Sequence, residues 1–232
     1  MKQKNTIIVL LLFVIAFTFG FKIDDNKTTP IALIKKVVKD VSFKKIDASD
    51  WEKAKTGVPL KSGEQIKTGF KSLALVLFTD GTGLLRVREN STMYIYGKNV
   101  DNKLNKNTFI EKGLIGFDVN KQDAEEFKFT TPTAVAAIRG TAGYVEVGKD
   151  SSTTVVCDHG KIEVESLAGN KEKVTVEGGK AINISSKGKI VKGDISSLEQ
   201  KKFQKSMKTE VKKIKIETEE GIIELEFYPE EK

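Results

Sequence analysis

The stretch that most constrains this chain runs from Thr130 to Val147, TTPTAVAAIRGTAGYVEV. A residue ahead of proline is pushed out of the helical region, so Thr131 before Pro132 is expected to be extended. Small apolar residues follow. Ile138-Arg139-Gly140-Thr141 then leads into Tyr144-Val145-Glu146-Val147, whose alternation reads as a strand. Gly140 and Gly143 suit a bulge or a close backbone approach. Arg139 stands between an apolar run and a glycine, where a partly buried guanidinium needs carboxylate or carbonyl partners. Its expected task is to tie strands together rather than to hold a ligand. The remainder of the chain reads as strands assembled around this segment.

Ile31 to Phe43 suggests one or two short strands, and Trp51, the only tryptophan, is expected in a turn or short helix that lids the core. Val58, Leu60, Gly63 and Ile66 share their spacing with Val174, Val176, Gly179 and Ile182, an echo of strand, glycine turn and strand. Ser72 to Phe78 is apolar on both faces, as a central strand would be. Asp80-Gly81 then turns it into Leu84 to Arg88. A glycine followed by alternating apolar residues recurs at Gly83/Leu85/Val87, Gly113/Ile115/Phe117, Gly160/Ile162/Val164 and Gly221/Ile223/Leu225. Many short strands punctuated this way predict an all-β fold of β-sandwich or jelly-roll type.

Chemistry is narrowed by what the chain lacks. With one His and one Cys, it cannot assemble a four-ligand zinc site of the usual kind, an internal disulfide or a Cys-pair redox motif. Cys157 and His159 would share a strand face but lack further ligands; they read as a small buried hydrophobe and a turn residue. No nucleophile elbow, P-loop or dinucleotide fingerprint is present. Asp101, Asn105 and Asn107 resemble a calcium loop, but Lys103 occupies a ligand position and no Glu closes it. No cofactor and no metal is therefore expected. The net charge of +7 reflects a lysine-rich surface, without the aromatic-interleaved basic stripe of a nucleic-acid binder.

The chain opens with a basic Met1–Lys4 and an apolar run from Ile7 to Phe21. That run is shorter than the roughly 20 residues of a comfortable membrane span. Thr18 and Gly20 are small residues where a signal peptidase reads them. A signal peptide over 1–20, cut between Gly20 and Phe21, and a linker over 21–30 are expected. If uncleaved, the run would tether the protein. In both cases the chain is expected in the periplasm or cell envelope. At the other end, 194–232 is expected to be a separate appendage. Ser196 and Glu199 make a capping-box pattern, with Leu198, Phe203, Met207 and Val211 loosely on one helical face. Lys213 to Tyr228 reads as a charged hairpin. The appendage is expected to cover a sandwich edge.

With these residues in view, the chain resembles exported FecR-domain proteins. The resemblance covers about 34–190. It rests on Trp51 and the glycine-turn unit ending Ile66-Lys67-Thr68-Gly69, on Asp80-Gly81-Thr82, and on Asn90-Ser91-Thr92. Thr131-Pro132 leading to Arg139-Gly140-Thr141, with the paired strands around Gly160, completes it. The resemblance implies a double-sheet β domain, placed at 31–193, outside the cytoplasmic membrane. The family's best-known members relay a signal from an outer-membrane siderophore transporter to a sigma factor. They carry a cytoplasmic segment ahead of their membrane helix, whereas six residues precede Ile7 here, which argues against direct sigma-factor contact. Asp40 replaces the family's usual glycine, and Cys157 its usual aliphatic.

These readings together predict a non-enzymatic signalling or binding module that contacts another envelope protein, the alternatives being a glycan or peptidoglycan binder and a structural scaffold. An anionic polymer is a further expected class of partner. The expected contact surface is a pair of polar loops, Gly97 to Asn107 and Asp118 to Glu126. It offers Lys98, Asn99, Asp101, Asn102, Lys103, Asn105 and Lys106 in the first, and Lys121 and Asp123 in the second. A glycan reading would instead use exposed aromatics such as Tyr94 or Tyr96.

Overall fold

The computed structural model describes residues 29–100, 103–121, 127–209, 212–218 and 221–227. The expected signal peptide with Gly20 and Phe21, most of the linker, and Asp101, Asn102 and Asp123 lie outside the described residues.

Inward and outward residues alternate along most of the chain, so the molecule is two sheets with their apolar sides together. Sheet A contains β1 (Ala32–Val38), β4 (Pro59–Leu60), β6 (Leu73–Phe78), β7 (Gly83–Val87), β12 (Thr141–Val147), β13 (Thr153–His159), β16 (Lys180–Ile184) and β17 (Ile190–Asp194). Sheet B contains β2 (Val41–Lys44), β3 (Glu52–Lys53), β5 (Gln65–Thr68), β8 (Thr92–Val100), β10 (Phe127–Thr130), β11 (Ala134–Ile138), β14 (Lys161–Ser166) and β15 (Lys173–Glu177). The long β9 (Lys103–Val119) belongs to both: its first half pairs with β8 and β10 in sheet B, its second with β7 and β12 in sheet A. Sheet A runs β4-β1-β6-β7-β9-β12-β13-β16-β17. Sheet B runs β3-β2-β5-β8-β9-β10-β11-β14-β15. Neighbouring strands are antiparallel except β9 and β10. This is the all-β sandwich the sequence predicts.

The crossing of β9 depends on one glycine. Gly113 has φ +95, and a Cβ there would collide with Ser91. The Ser91 hydroxyl in turn accepts from Leu114 N at 3.1 Å, fixing the bend from one sheet to the other. The spacing echo also marks crossings: β4 to β5 passes from sheet A to sheet B through Gly63, and β15 to β16 passes from sheet B to sheet A through Gly179.

The core between the sheets is continuous, with Phe78, Phe117, Phe127 and Phe129 near its centre. Full burial of each such ring contributes roughly 1.5–3 kcal/mol. Their contacts are edge-on or tilted, with centroids 5.2–5.3 Å apart. Cys157 joins this core; burial and then the nearby Asp158 push its thiol up to about 11. His159 is exposed beside Asp158, at 3.2 Å, so the two residues share no site.

One helix, α1 (Ser197–Met207), follows sheet A. Ser196 caps it: its hydroxyl accepts from Glu199 N, and Glu199 Oε2 accepts from Ser196 N at 2.7 Å. The final hairpin pairs β18 (Lys212–Thr218) with β19 (Gly221–Phe227). The helix of the appendage does not cover an edge as expected. α1 lies on the outer face of sheet A, against β9 and β12, because the apolar surface needing cover is on that face.

Candidate functional site

The Thr-Pro motif builds a buried polar joint. Thr131 and Thr133 both hydrogen-bond the Thr153 hydroxyl, at 2.7 and 2.6 Å, and Ala134 N donates to Thr131 Oγ1 at 2.9 Å. Hydroxyls buried without partners would cost stability, and here they satisfy one another across the two sheets. Pro132 is exposed at the tip of this turn. Gly143 makes the expected bulge: the register of β12 on β13 shifts at Ala142/Gly143, and a Cβ would collide with Val156 O. Thr141 is fully buried where β12 begins.

Arg139 departs from expectation. It is exposed in the tight turn, with Gly140, that carries the chain from β11 to β12. The apolar run before it ends at Ile138, and the turn swings the next side chain out of the sandwich. Trp51 does not lid the core either. It stands just ahead of β3, 38% exposed, with Lys67 Nζ 5.7 Å from its ring. The two-residue strand that follows it pairs at the sheet edge, so the indole lies over the outside of sheet B.

The predicted polar loop Gly97 to Asn107 is instead the distal part of the β8–β9 hairpin. Lys98 pairs with Asn105, Asn99 with Leu104, and Val100 with Lys103. Lys98, Asn99 and Lys103 are exposed and Asn105 is half-buried. Lys106 is the correction that matters most. Leu104, Lys106, Thr108 and Ile110 alternate inward, so the lysine enters the sandwich and is fully buried. There it pairs with the carboxylate of Asp80, and its Nζ lies 2.9 Å from Thr82 Oγ1. Lys121 is exposed just after β9.

Outward residues of β8–β9 make an aromatic ledge on sheet B. Tyr94 and Tyr96, two apart on β8, have parallel rings 6.5 Å apart, and Phe109 meets Tyr94 edge-on at 5.6 Å. Burial, then Glu111, raises the Tyr94 phenol above its ordinary value. Strand register carries the ledge sideways along Tyr96, Asn107, Lys128, Ala137, Glu163 and Thr175. At strand spacings of about 4.8 Å, this row of six strands is roughly 24 Å long. Its far end enters an open cavity of about 530 Å³ lined by Lys128, Arg139, Lys161 and Glu163 among others. The sequence points to the tyrosines but not to Phe109 or Lys128. The two-residue spacing on β9 contained the signal for both Lys106 and Phe109.

The matching row on sheet A is Arg86, Gly116, Tyr144, Val156, Ala181 and Gly193. It is apolar apart from its first member and the Tyr144 hydroxyl, and α1 covers its middle, from Gly116 to Ala181. Phe203 packs against Tyr144, Val156 and Ala181, with Leu114 and Ile195 alongside. Lys202 pairs with Glu146 at 2.6 Å and Lys205 with Glu89 at 3.2 Å, while Arg88 Nη1 donates to Lys208 O at 3.0 Å. Burial, then Glu146 and Glu199, raises the Tyr144 phenol.

The FecR protein family matches the chain over residues 64–163, a span running from just before β5 into β14. Over that span the chain is similar to FecR proteins. The β5–β9 strands, the Lys106–Asp80 pair, the aromatic ledge and the Arg139 turn all fall inside the match. Two crystal structures of a candidate anti-sigma factor from Parabacteroides distasonis are similar to the chain. Each has 18% identity and a TM-score of 0.49, and the likeness covers 56% of this chain and 59% of theirs. The likeness thus spans less than two thirds of that protein. No curated protein matches the chain by sequence.

Proposed function

We propose that the protein is an exported, non-enzymatic signalling or binding module of the FecR type, and that the outer face of sheet B holds its partner in the cell envelope. The observation that supports this is the row from Tyr96 to Thr175. With the neighbouring Tyr94 and Arg139 it offers aromatic rings and a guanidinium, residue types that protein interfaces enrich, beside the hydrogen-bonding side chains of a rigid sheet. The partner is an envelope protein with an acidic, extended surface. Direct contact with a sigma factor is not part of this reading, because the face belongs to the exported domain.

The test is in-cell crosslinking from probes placed at Lys98 and Lys128, followed by recovery of adducts from the envelope. One protein species should be captured from both positions and lost in a Tyr94→Ala/Tyr96→Ala double variant that keeps its fold. Capture unaffected by the double variant, or the absence of any adduct, overturns the assignment.

The parallel Tyr94–Tyr96 pair favours one second reading, a glycan stacked on the ledge. Retention of the protein by isolated peptidoglycan, abolished by Tyr96→Ala, would select that reading over the first.

A further inference from the structure

We propose that Lys106 and Asp80 condense into an intramolecular isopeptide bond that staples sheet B to the β6–β7 turn of sheet A. Lys106 reaches inward from β9, and none of its side chain meets solvent. Its Nζ contacts the Asp80 carboxylate and lies 5.9 Å and 6.0 Å from the ring centroids of Phe78 and Phe127. The enclosure is built rather than incidental. Gly83 leaves room for the Phe127 ring, since a Cβ there would stand 2.9 Å from Phe127 Cε2. Asp80 is held in place as well: its Oδ1 accepts from Thr82 N at 3.1 Å and from Thr82 Oγ1 at 2.8 Å.

An ion pair in such surroundings gives up hydration that its mutual attraction only partly restores. The forms that condense, the amine and the carboxylic acid, differ from the ion pair by one proton passed along the Lys106–Asp80 contact. Fixed proximity supplies the rest, because well-oriented intramolecular partners react as though present at about 10⁵–10⁸ M.

The atoms present complete the step. The Nζ lone pair attacks Asp80 Cγ and forms the C–N bond. Thr82 Oγ1 lies 2.9 Å from Nζ and 2.8 Å from Asp80 Oδ1, so its hydroxyl relays a proton from the nitrogen to that oxygen. Oδ1 already carries the proton of the acid, so the relayed proton is its second; it leaves as water, breaking the C–O bond, the charge on Oδ2 collapses to the carbonyl, and an amide remains. Nothing is oxidised or reduced. The Asp80 side chain is 19% exposed, which gives the released water an exit.

Peptide mass analysis of the purified, folded protein after trypsin decides the matter. The expected product is Ser72–Arg86 joined to Leu104–Lys112, lighter than the two peptides together by one water, with fragment ions placing the link at Asp80 and Lys106. Lys106→Arg and Asp80→Ala should each yield separate peptides. Thr82→Val should slow the appearance of the linked product roughly a hundred-fold, the scale of a lost proton relay. Unlinked Ser72–Arg86 together with cleavage after Lys106 in the folded wild-type protein would overturn the proposal and leave an ion pair only. A Thr82→Val variant that links as fast as wild type would overturn the relay. The wild-type result stands by itself, so a variant that fails to fold does not blur the answer.

Discussion

The two outer faces of the sandwich are made by the same chain, at similar strand spacing, and have opposite fates. Sheet A presents Gly116, Tyr144, Val156 and Ala181 in one row, and α1 lies across them. Sheet B presents Tyr96, Asn107, Lys128, Ala137, Glu163 and Thr175, and among the described residues no helix packs on it. The first row exposes hydrocarbon that gains from cover. Most members of the second are polar groups that water satisfies, so a covering element would have to replace each hydrogen bond. The rings of Tyr94 and Tyr96 are the exception, and the proposed partner site rests on that exception.

The sharpest way to break the comparison is to remove the space that lets α1 approach. A Cβ on Gly116 would stand 2.8 Å from Ser206 O, a backbone atom that cannot swing aside. Gly116→Val should lift the last turn of the helix and cost about 1–3 kcal/mol. Proteolytic protection of 197–207 would be lost while the sheets persist. Ala137→Val, at the corresponding small residue of the sheet B row, should leave thermal unfolding nearly unchanged. Equal effects at the two sites would show that the faces do not differ in cover. Phe203→Ala is milder. The ring is only half-buried, so its removal should cost roughly 1 kcal/mol, about half the value of a fully buried side chain. It should also let the Tyr144 phenol titrate at lower pH, readable by ultraviolet absorbance.

Smaller effects should follow pH, and those that act on α1 arise on the covered face. The Glu89 carboxyl is held below its ordinary value. Burial alone would raise it, but the Lys71 backbone N–H, the hydrogen bond and charge of Lys205, and the charge of Arg88 together outweigh that. A depressed carboxyl contributes stability above its unfolded value, and the contribution is lost as pH falls through the folded one. Hydrogen exchange should therefore report loosening of α1 in acid below about pH 4. Glu89→Gln should remove that dependence. Tyr144 acts at the other end. Its raised phenol favours the docked state until the pH exceeds the ordinary tyrosine value of about 10. An α1 whose exchange ignores both limits would argue that apolar contact alone holds it.

Sequence sufficed for the parts of this architecture that are local. Two-residue alternation, turn glycines and the capping box each act within a few positions, and they led to the strands, the sandwich and α1. It failed where the deciding neighbour is distant. Arg139 looked buried because the run before it is apolar, yet the turn that exposes it depends on β11 and β12 lying in different sheets. Gly97 to Asn107 looked like a loop because its outward residues are polar, while the inward set of Leu104, Lys106, Thr108 and Ile110 contains a lysine where a hydrophobe was expected. The covered row on sheet A draws each member from a different strand, so no stretch of sequence contains it.

The smallest expected structural effect falls on the open face, and it separates binding from folding. Tyr96 is 40% exposed, and its ring lies parallel to that of Tyr94. Tyr96→Ser should change stability by no more than about 0.5 kcal/mol, as surface substitutions usually do. Thermal unfolding and the exchange protection of β8 should both stay near wild type. Capture of the proposed envelope partner should fall sharply, because aromatic anchors account for a large share of interface energy. A variant that unfolds early would mean that the ledge serves the sheet itself. In that case the contrast between a covered, structural face and an open, functional one would fail at the residue chosen to represent it.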